Sequence, residues 1–156
     1  MALQTGQPAP DARVAVRPRE WVSLSEWFGD RPAVLLFFPL AFSSTCTAEM
    51  CAIAEDWSAW SDLGANVVGI SVDSPYVNVK FAKETKAPFP IVSDFNREAT
   101  RAYDVLRADL GGLLDVAERV VYVIDRNARI SHVWQGEHPG VFPPLDVIKE
   151  AVREAA

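Results

Sequence analysis

The chain has 156 residues, 49% of them apolar and 23% charged, with a formal net charge of −6 and a pI near 4.9. That length fits one domain with a core of its own and excludes a disordered chain. The acidic balance, with no basic run to reverse it, argues against nucleic acid and anionic membranes as partners. The longest apolar stretch, Ala33 to Phe42, is too short to span a bilayer and is broken by Pro39. The opening Met1-Ala-Leu-Gln-Thr-Gly-Gln-Pro8 lacks the charged start and apolar run of a signal peptide, so a soluble cytoplasmic protein is expected. Two cysteines do not make a disulfide framework; if they pair, a transient chemical pairing is expected.

In chain order, the first thirty residues read as loops and short extended pieces punctuated by Pro8, Pro10 and Pro18. A short helix is expected from Ser23 to Phe28, capped by Ser23 and closed by Gly29. Ala33 to Phe38 is a continuous aliphatic and aromatic run, as in a strand covered on both faces. From Ser44 to Leu63 the pattern is helical, with Cys46, Met50, Ile53, Trp57 and Trp60 on one stripe and Gly64 as the stop. Asn66 to Val72 is a second buried strand and Tyr76 to Lys86 a helix. Pro88 and Pro90 bound a short extended segment, and a further helix is predicted over Asn96 to Val105. Arg119 to Asp125 and Ile130 to Trp134 read as a strand pair turning at Arg126-Asn127, and Leu145 to Ala155 as a closing amphipathic helix. Strand, helix, strand, helix, strand pair, helix is an α/β order that gives a single domain with a mixed sheet flanked by helices. It resembles the thioredoxin-like fold.

Cys46 stands where the first buried strand gives way to the long helix, three residues after Ser43 and seven after Pro39. Backbone N–H groups at a helix start favour a thiolate over a thiol. A nucleophile that is mostly thiolate at neutral pH needs its titration lowered by about two units, or about 2.7 kcal/mol. The helix end supplies up to about 2 kcal/mol, and a guanidinium is suited to supply the rest. Taken alone, a cysteine on an apolar stripe is a packed hydrophobe, Ser43 a helix cap, Glu49 a first-turn acid and Arg119 a strand-edge salt-bridge partner. Five helical residues rise about 7.5 Å, so Cys46 and Cys51 cannot join in an intact helix, given a Cα limit of about 7 Å for a disulfide.

Pro39-x-x-x-Ser43-x-x-Cys46 resembles the Pro-x-x-x-Thr/Ser-x-x-Cys signature of the peroxiredoxins. Gly6-Gln-Pro-Ala-Pro-Asp11, Asn66 to Asp73, Phe89 to Asp94 and Arg119 to Asp125 are similar to further family segments, in family order. The likeness is strongest to the alkyl hydroperoxide reductase E-like and bacterioferritin-comigratory groups. It implies a thiol peroxidase acting on hydrogen peroxide and small organic hydroperoxides, with no metal or organic cofactor. Cys46 would be the peroxidatic nucleophile and Pro39 its shield. Ser43 would bond the peroxide oxygens, Arg119 would hold thiolate and substrate, and Glu49 would orient Arg119. Members with the same five-residue spacing form an intramolecular disulfide after local unfolding, which implies Cys51 as the resolving thiol. Reduction by thioredoxin, or by a glutaredoxin-like or mycoredoxin-like donor, is implied as well, and a homodimer is expected. Serine in place of the commoner threonine keeps the hydroxyl but loses the methyl that fixes its rotamer.

Competing readings are a thioredoxin-fold binding or chaperone module with inert cysteines, a one-cysteine peroxidase resolved by an external thiol, and a dithiol oxidoreductase. A Cys-x-x-Cys motif, which the last would need, is missing. His132 and His138 have no ligand spacing with the cysteines, and Glu84 and Asp94 read as solvated acids.

Overall fold

The computed structural model describes residues 2–156. Its elements are β1 (Arg13–Arg17), β2 (Glu20–Ser23), β3 (Ala33–Phe37), α1 (Ser44–Glu55), α2 (Trp57–Asp62), β4 (Asn66–Ser71), α3 (Pro75–Glu84), β5 (Ile91–Ser93), α4 (Glu98–Ala102), β6 (Leu106–Leu110), β7 (Leu113–Ala117), β8 (Val120–Ile124), β9 (Ile130–Gln135) and α5 (Leu145–Ala155). Seven strands form one mixed sheet in the order β2-β1-β5-β4-β3-β8-β9, and β6-β7 is a separate hairpin. Strands β3, β4 and β5 run parallel, linked by helical crossovers, while β8 lies antiparallel against β3.

Central position explains the uninterrupted apolar run of β3. Its five residues are all buried, and their alternation divides the core. Ala33, Leu35 and Phe37 join Val68, Ile70, Tyr103 and Tyr122 on the face covered by α4. Val34 and Leu36 join Met50, Ile53, Trp60, Phe81, Ile148 and Val152 on the face covered by α1, α2, α3 and α5. Cys46 lies within this second cluster. A one-residue slip of β3 would exchange the two sets, so the register is fixed by both layers at once.

The fold is the mixed α/β sheet that the sequence predicts, with four differences. The segment 44–63 is not one helix: it breaks at Asp56, whose backbone (φ −104°, ψ 26°) leaves the helical region. Its side chain accepts an ion pair from Lys149 of α5 at 2.6 Å, and a short acid that finds partners outside the helix is a poor helix interior. The apolar stripe survives, with Trp60 fully buried and Trp57 half-buried. Helix α4 is shorter than predicted because Arg97 and Asp104, at φ 61° and 54°, bound it in left-handed conformations. The hairpin β6–β7 was not predicted. Its two-residue turn, Gly111-Gly112, has φ of 59° and 92°, which suits tight antiparallel hairpins. Finally, Asp94 is not solvated. It is buried, and its carboxylate accepts from the Ala99 and Thr100 amides and from the Thr100 hydroxyl.

The N-terminal extended pieces pair as β1–β2 and extend the sheet beyond β5. The predicted short helix is a 3-10 turn, Leu24–Trp27, with Ser23 and Glu26 in a capping box. The closing helix is observed over Leu145–Ala155.

Candidate active site

Strand β3 ends at Phe37, and the chain turns through Pro39–Ser43 into α1. Phe42 in this turn has φ 68°, an uncommon conformation for a residue with a large side chain. Two contacts hold the turn. The Ala41 amide donates to Asp73 Oδ2 at 2.7 Å, and the Phe42 ring packs edge-on against Phe81 with centroids 5.1 Å apart. Asp73 is held in turn by the Ser71 hydroxyl at 2.7 Å. Ser43 occupies the N-cap position with extended backbone (φ −69°, ψ 153°), and its carbonyl accepts from Thr47 N at 2.9 Å. The first turn of α1 therefore begins directly above the parallel strands, with Cys46 in it.

Cys46 is fully buried, yet hydrocarbon is not its only neighbour. Arg119, the residue before β8, uses its whole fork here. Nη2 donates to Cys46 Sγ at 3.0 Å, Nη1 to Glu49 Oε2 at 2.6 Å, and Nε to the Pro139 carbonyl at 2.8 Å. Only a planar, permanently charged group makes three such directed bonds. Glu49 stands one helical turn beyond Cys46 and is fully buried. Burial pushes its carboxyl up to about 7, against the Arg119 charge and hydrogen bond, which pull it down. Its second oxygen, Oε1, has no hydrogen-bond partner.

A pocket of about 190 Å³ opens above this cluster, lined by Pro39, Ser43, Thr45, Leu110, Arg119 and Pro139 among others. Arg119 thus bridges the pocket and the covered sulfur. The Ser43 hydroxyl donates to the Leu40 carbonyl at 3.0 Å, so offering its proton to a guest means releasing that bond. Cys51 lies elsewhere. It is half-buried on the flank of α1 and lines a second cavity of about 380 Å³ with Ala54, Glu55, Glu84, Thr85 and Lys86. Both cysteines are free, and α1 is continuous between them. Among the described residues there is no group of three potential metal-ligating side chains.

The profile described as the AhpC/TSA family matches residues 5–133. The chain belongs to that family, the peroxiredoxins. It is 30% identical over 137 residues to Peroxiredoxin Bcp of Bacillus subtilis, covering 86% of this chain and 87% of that protein. It is 31% identical over 142 residues to a chloroplastic 2-cysteine peroxiredoxin of Chattonella marina var. antiqua, covering 85% and 70%. Among solved structures, Peroxidoxin BcpB of Mycobacterium tuberculosis superposes with a TM-score of 0.85 at 26% identity over 99% of both chains. A peroxiredoxin-like protein of Aquifex aeolicus has a TM-score of 0.88 at 21% identity, covering 100% of this chain and 90% of that one, and shares the fold. As a peroxiredoxin, this protein is a thiol-dependent peroxidase, an oxidoreductase of thioredoxin-like fold.

Five of the six sequence-predicted positions converge in this peroxiredoxin: Cys46, Glu49 and Arg119 are bonded together, and Pro39 and Ser43 line the same pocket. Cys51 does not join them. Glu49 sits in the second turn of α1 rather than the first. Sequence reasoning missed Asp73, the anchor of the Pro39–Ser43 turn, and Pro139, whose carbonyl fixes the Arg119 side chain. Asp73 lies in the Asn66-to-Asp73 segment whose likeness was noted, but its reach of 32 residues back to Ala41 is a tertiary fact. The Pro139 carbonyl has no sequence signal, because any residue carries one.

Proposed function

We propose that Cys46 is the peroxidatic nucleophile and that the Arg119 fork is what makes it reactive. The single observation supporting this reading is the 3.0 Å bond from Arg119 Nη2 to Cys46 Sγ, made by a guanidinium that also lines the pocket. Attack of the thiolate on the nearer peroxide oxygen forms the S–O bond and breaks the O–O bond. Sulfur loses two electrons, the peroxide gains them, and water or an alcohol leaves once the departing oxygen is protonated. Charge moves from sulfur to oxygen along a line that Arg119 faces throughout, so the donor stabilises the transition state without rearranging. Glu49 orients Arg119, Pro39 shields the sulfur, and Ser43 supplies a hydroxyl to the peroxide after leaving Leu40. Hydrogen peroxide and small organic hydroperoxides fit a pocket of this volume, and no organic cofactor or metal enters the scheme.

Cys51 then resolves the Cys46 sulfenic acid as an intramolecular disulfide, releasing water. This step requires the first turns of α1 to unwind, for the spacing reason given above. A dithiol protein, thioredoxin or a glutaredoxin-like or mycoredoxin-like donor, reduces the disulfide, which suits the reducing cytoplasm expected from the sequence. Exposed Leu106, Leu113 and Leu114 on the β6–β7 hairpin support a homodimer. The test is rapid mixing with hydrogen peroxide, followed by intact mass. The expected product has lost two hydrogens in the wild type and gained one oxygen in Cys51→Ser. Stable sulfenic acid in the wild type would assign resolution to an external thiol, and peroxide consumption by Cys46→Ser at the wild-type rate would remove Cys46 from the chemistry.

A further inference from the structure

Cys46, Glu49 and Arg119 hold two potential anions against one cation, all three side chains buried beneath the pocket that Arg119 lines. The buried charged side chains among the described residues are Glu49, Asp94 and Arg119, and Asp94 is satisfied by the start of α4 on the other face of the sheet. With Cys46 as thiolate and Glu49 as carboxylate, the guanidinium would leave one negative charge uncompensated. Buried charge without a partner costs several kcal/mol, on the order of what a single proton removes. Among the described residues Arg119 is the one cation in an ion pair with Glu49. Met50, Ile53 and Val121, in the same core cluster as Cys46, are apolar. Glu118, next to Arg119 in the chain, is paired with Arg107 at 3.2 Å, and His138, beside Pro139, is exposed, with its Nδ1 accepting from the Gly140 amide. The Glu49 carboxylate is also short of donors. One oxygen has Arg119 and the other has nothing, whereas an ionised carboxylate has room for about four hydrogen bonds.

Resting on the assignment of Cys46 as nucleophile, we propose that Glu49 carries the one proton of this cluster while Cys46 is a thiolate, and gives it up when Cys46 is oxidised. The balance closes without solvent. Thiolate, protonated Glu49 and hydroperoxide become neutral sulfenic acid, ionised Glu49 and alcohol. The S–O bond forms, the O–O bond breaks, sulfur is oxidised by the two electrons the peroxide takes, and the proton Glu49 loses offsets the one the alkoxide needs. Once the sulfur is neutral, Arg119 faces Glu49 alone, and a single ion pair remains. The upward push that burial gives the Glu49 carboxyl, to about 7, is in keeping with this distribution. Glu49 acts through Arg119 and the shared charge rather than by touching the peroxide, and is a positioning residue with a second duty as proton store.

The experiment uses the full-length Cys51→Ser protein, so that oxidation stops at the sulfenic acid. Infrared difference spectra are taken before and after one equivalent of hydrogen peroxide. The expected change is loss of a protonated-carboxylic-acid carbonyl band that shifts in D2O and is absent from Glu49→Gln. In parallel, stopped-flow mixing with a pH indicator should register almost no proton uptake, against about one proton per oxidised cysteine in Glu49→Gln, which has no proton to give. Peroxide consumption with no such band, or with uptake of about one proton while Glu49 is in place, overturns the inference and leaves the nucleophile assignment standing. Failure of Cys46 to react overturns both. The band and the proton count in the Glu49-containing protein remain decisive even where Glu49→Gln does not fold.

Discussion

Replacing Arg119 by methionine keeps the length and bulk of the side chain and removes three donated bonds: 3.0 Å to Cys46 Sγ, 2.6 Å to Glu49 Oε2 and 2.8 Å to the Pro139 carbonyl. Two separate losses follow. The first is in the reaction. A fixed donor facing charge that develops in a water-excluded site contributes about 2.7–4 kcal/mol, so the second-order rate with hydrogen peroxide should fall about 10²- to 10³-fold. The second is in stability. Breaking a buried ion pair by deleting one partner costs about 3–5 kcal/mol when the other stays charged. Glu49 avoids part of that cost by taking a proton. Without the Arg119 charge and hydrogen bond, which lower its titration, its carboxyl is held further above the ordinary range. The stability loss should therefore be large near pH 8 and much smaller near pH 5, where the carboxyl is neutral in the fold. Single-turnover stopped-flow using tryptophan fluorescence gives the rate, and urea unfolding at the two pH values gives the stability. A variant reacting within about threefold of wild type would contradict the assigned role of the guanidinium, since about threefold is under 1 kcal/mol. Equal stability losses at both pH values would contradict the account of Glu49.

Three further outcomes are expected. Cys46→Ser should abolish peroxide turnover while leaving the unfolding free energy within about 1 kcal/mol of wild type, as read by coupled turnover and urea melts. Glu49→Gln should remove a pH dependence. The folded carboxyl titrates near 7, above the unfolded value of 4.5, so the folded state binds more protons between these values. Wild-type stability should then fall as pH rises through that window, by on the order of 3 kcal/mol, and stay low above it. The glutamine variant should be flatter over the same range, and a variant with the wild-type slope would exclude Glu49 as its source. Asp73→Ala deletes the acceptor of the Ala41 amide and should cost about 1–2 kcal/mol in stability. It should also slow the peroxide reaction by freeing the turn that carries Pro39 and Ser43. A slowed reaction rescued by Asp73→Asn, which keeps an acceptor oxygen, would tie the effect to that bond.

The sequence by itself determined the elements whose signal is local. The run Ala33 to Phe38 could only be a strand covered on both faces, and Ser43 before a helical apolar stripe placed Cys46 in a first turn. The spacing of Pro39, Ser43 and Cys46 carried the family likeness, and with it a role for Arg119. The Gly111-Gly112 turn was legible too, as two adjacent residues free to take positive φ between short apolar runs, although it was not read as a hairpin. Tertiary structure alone decided the rest, because it depends on groups far apart in the chain meeting in a dry interior. The helix over 44–63 breaks at Asp56, where the side chain pairs with Lys149, 93 residues away. Asp94 is buried because the start of α4 delivers amides to it. Cys46 and Arg119, 73 residues apart, come within hydrogen-bond distance because β8 pairs with β3 in the register Phe37 to Val120. That pairing sets the guanidinium beside the first turn of α1, within hydrogen-bond distance of a sulfur that a cysteine's place on an apolar stripe would otherwise leave among hydrocarbon.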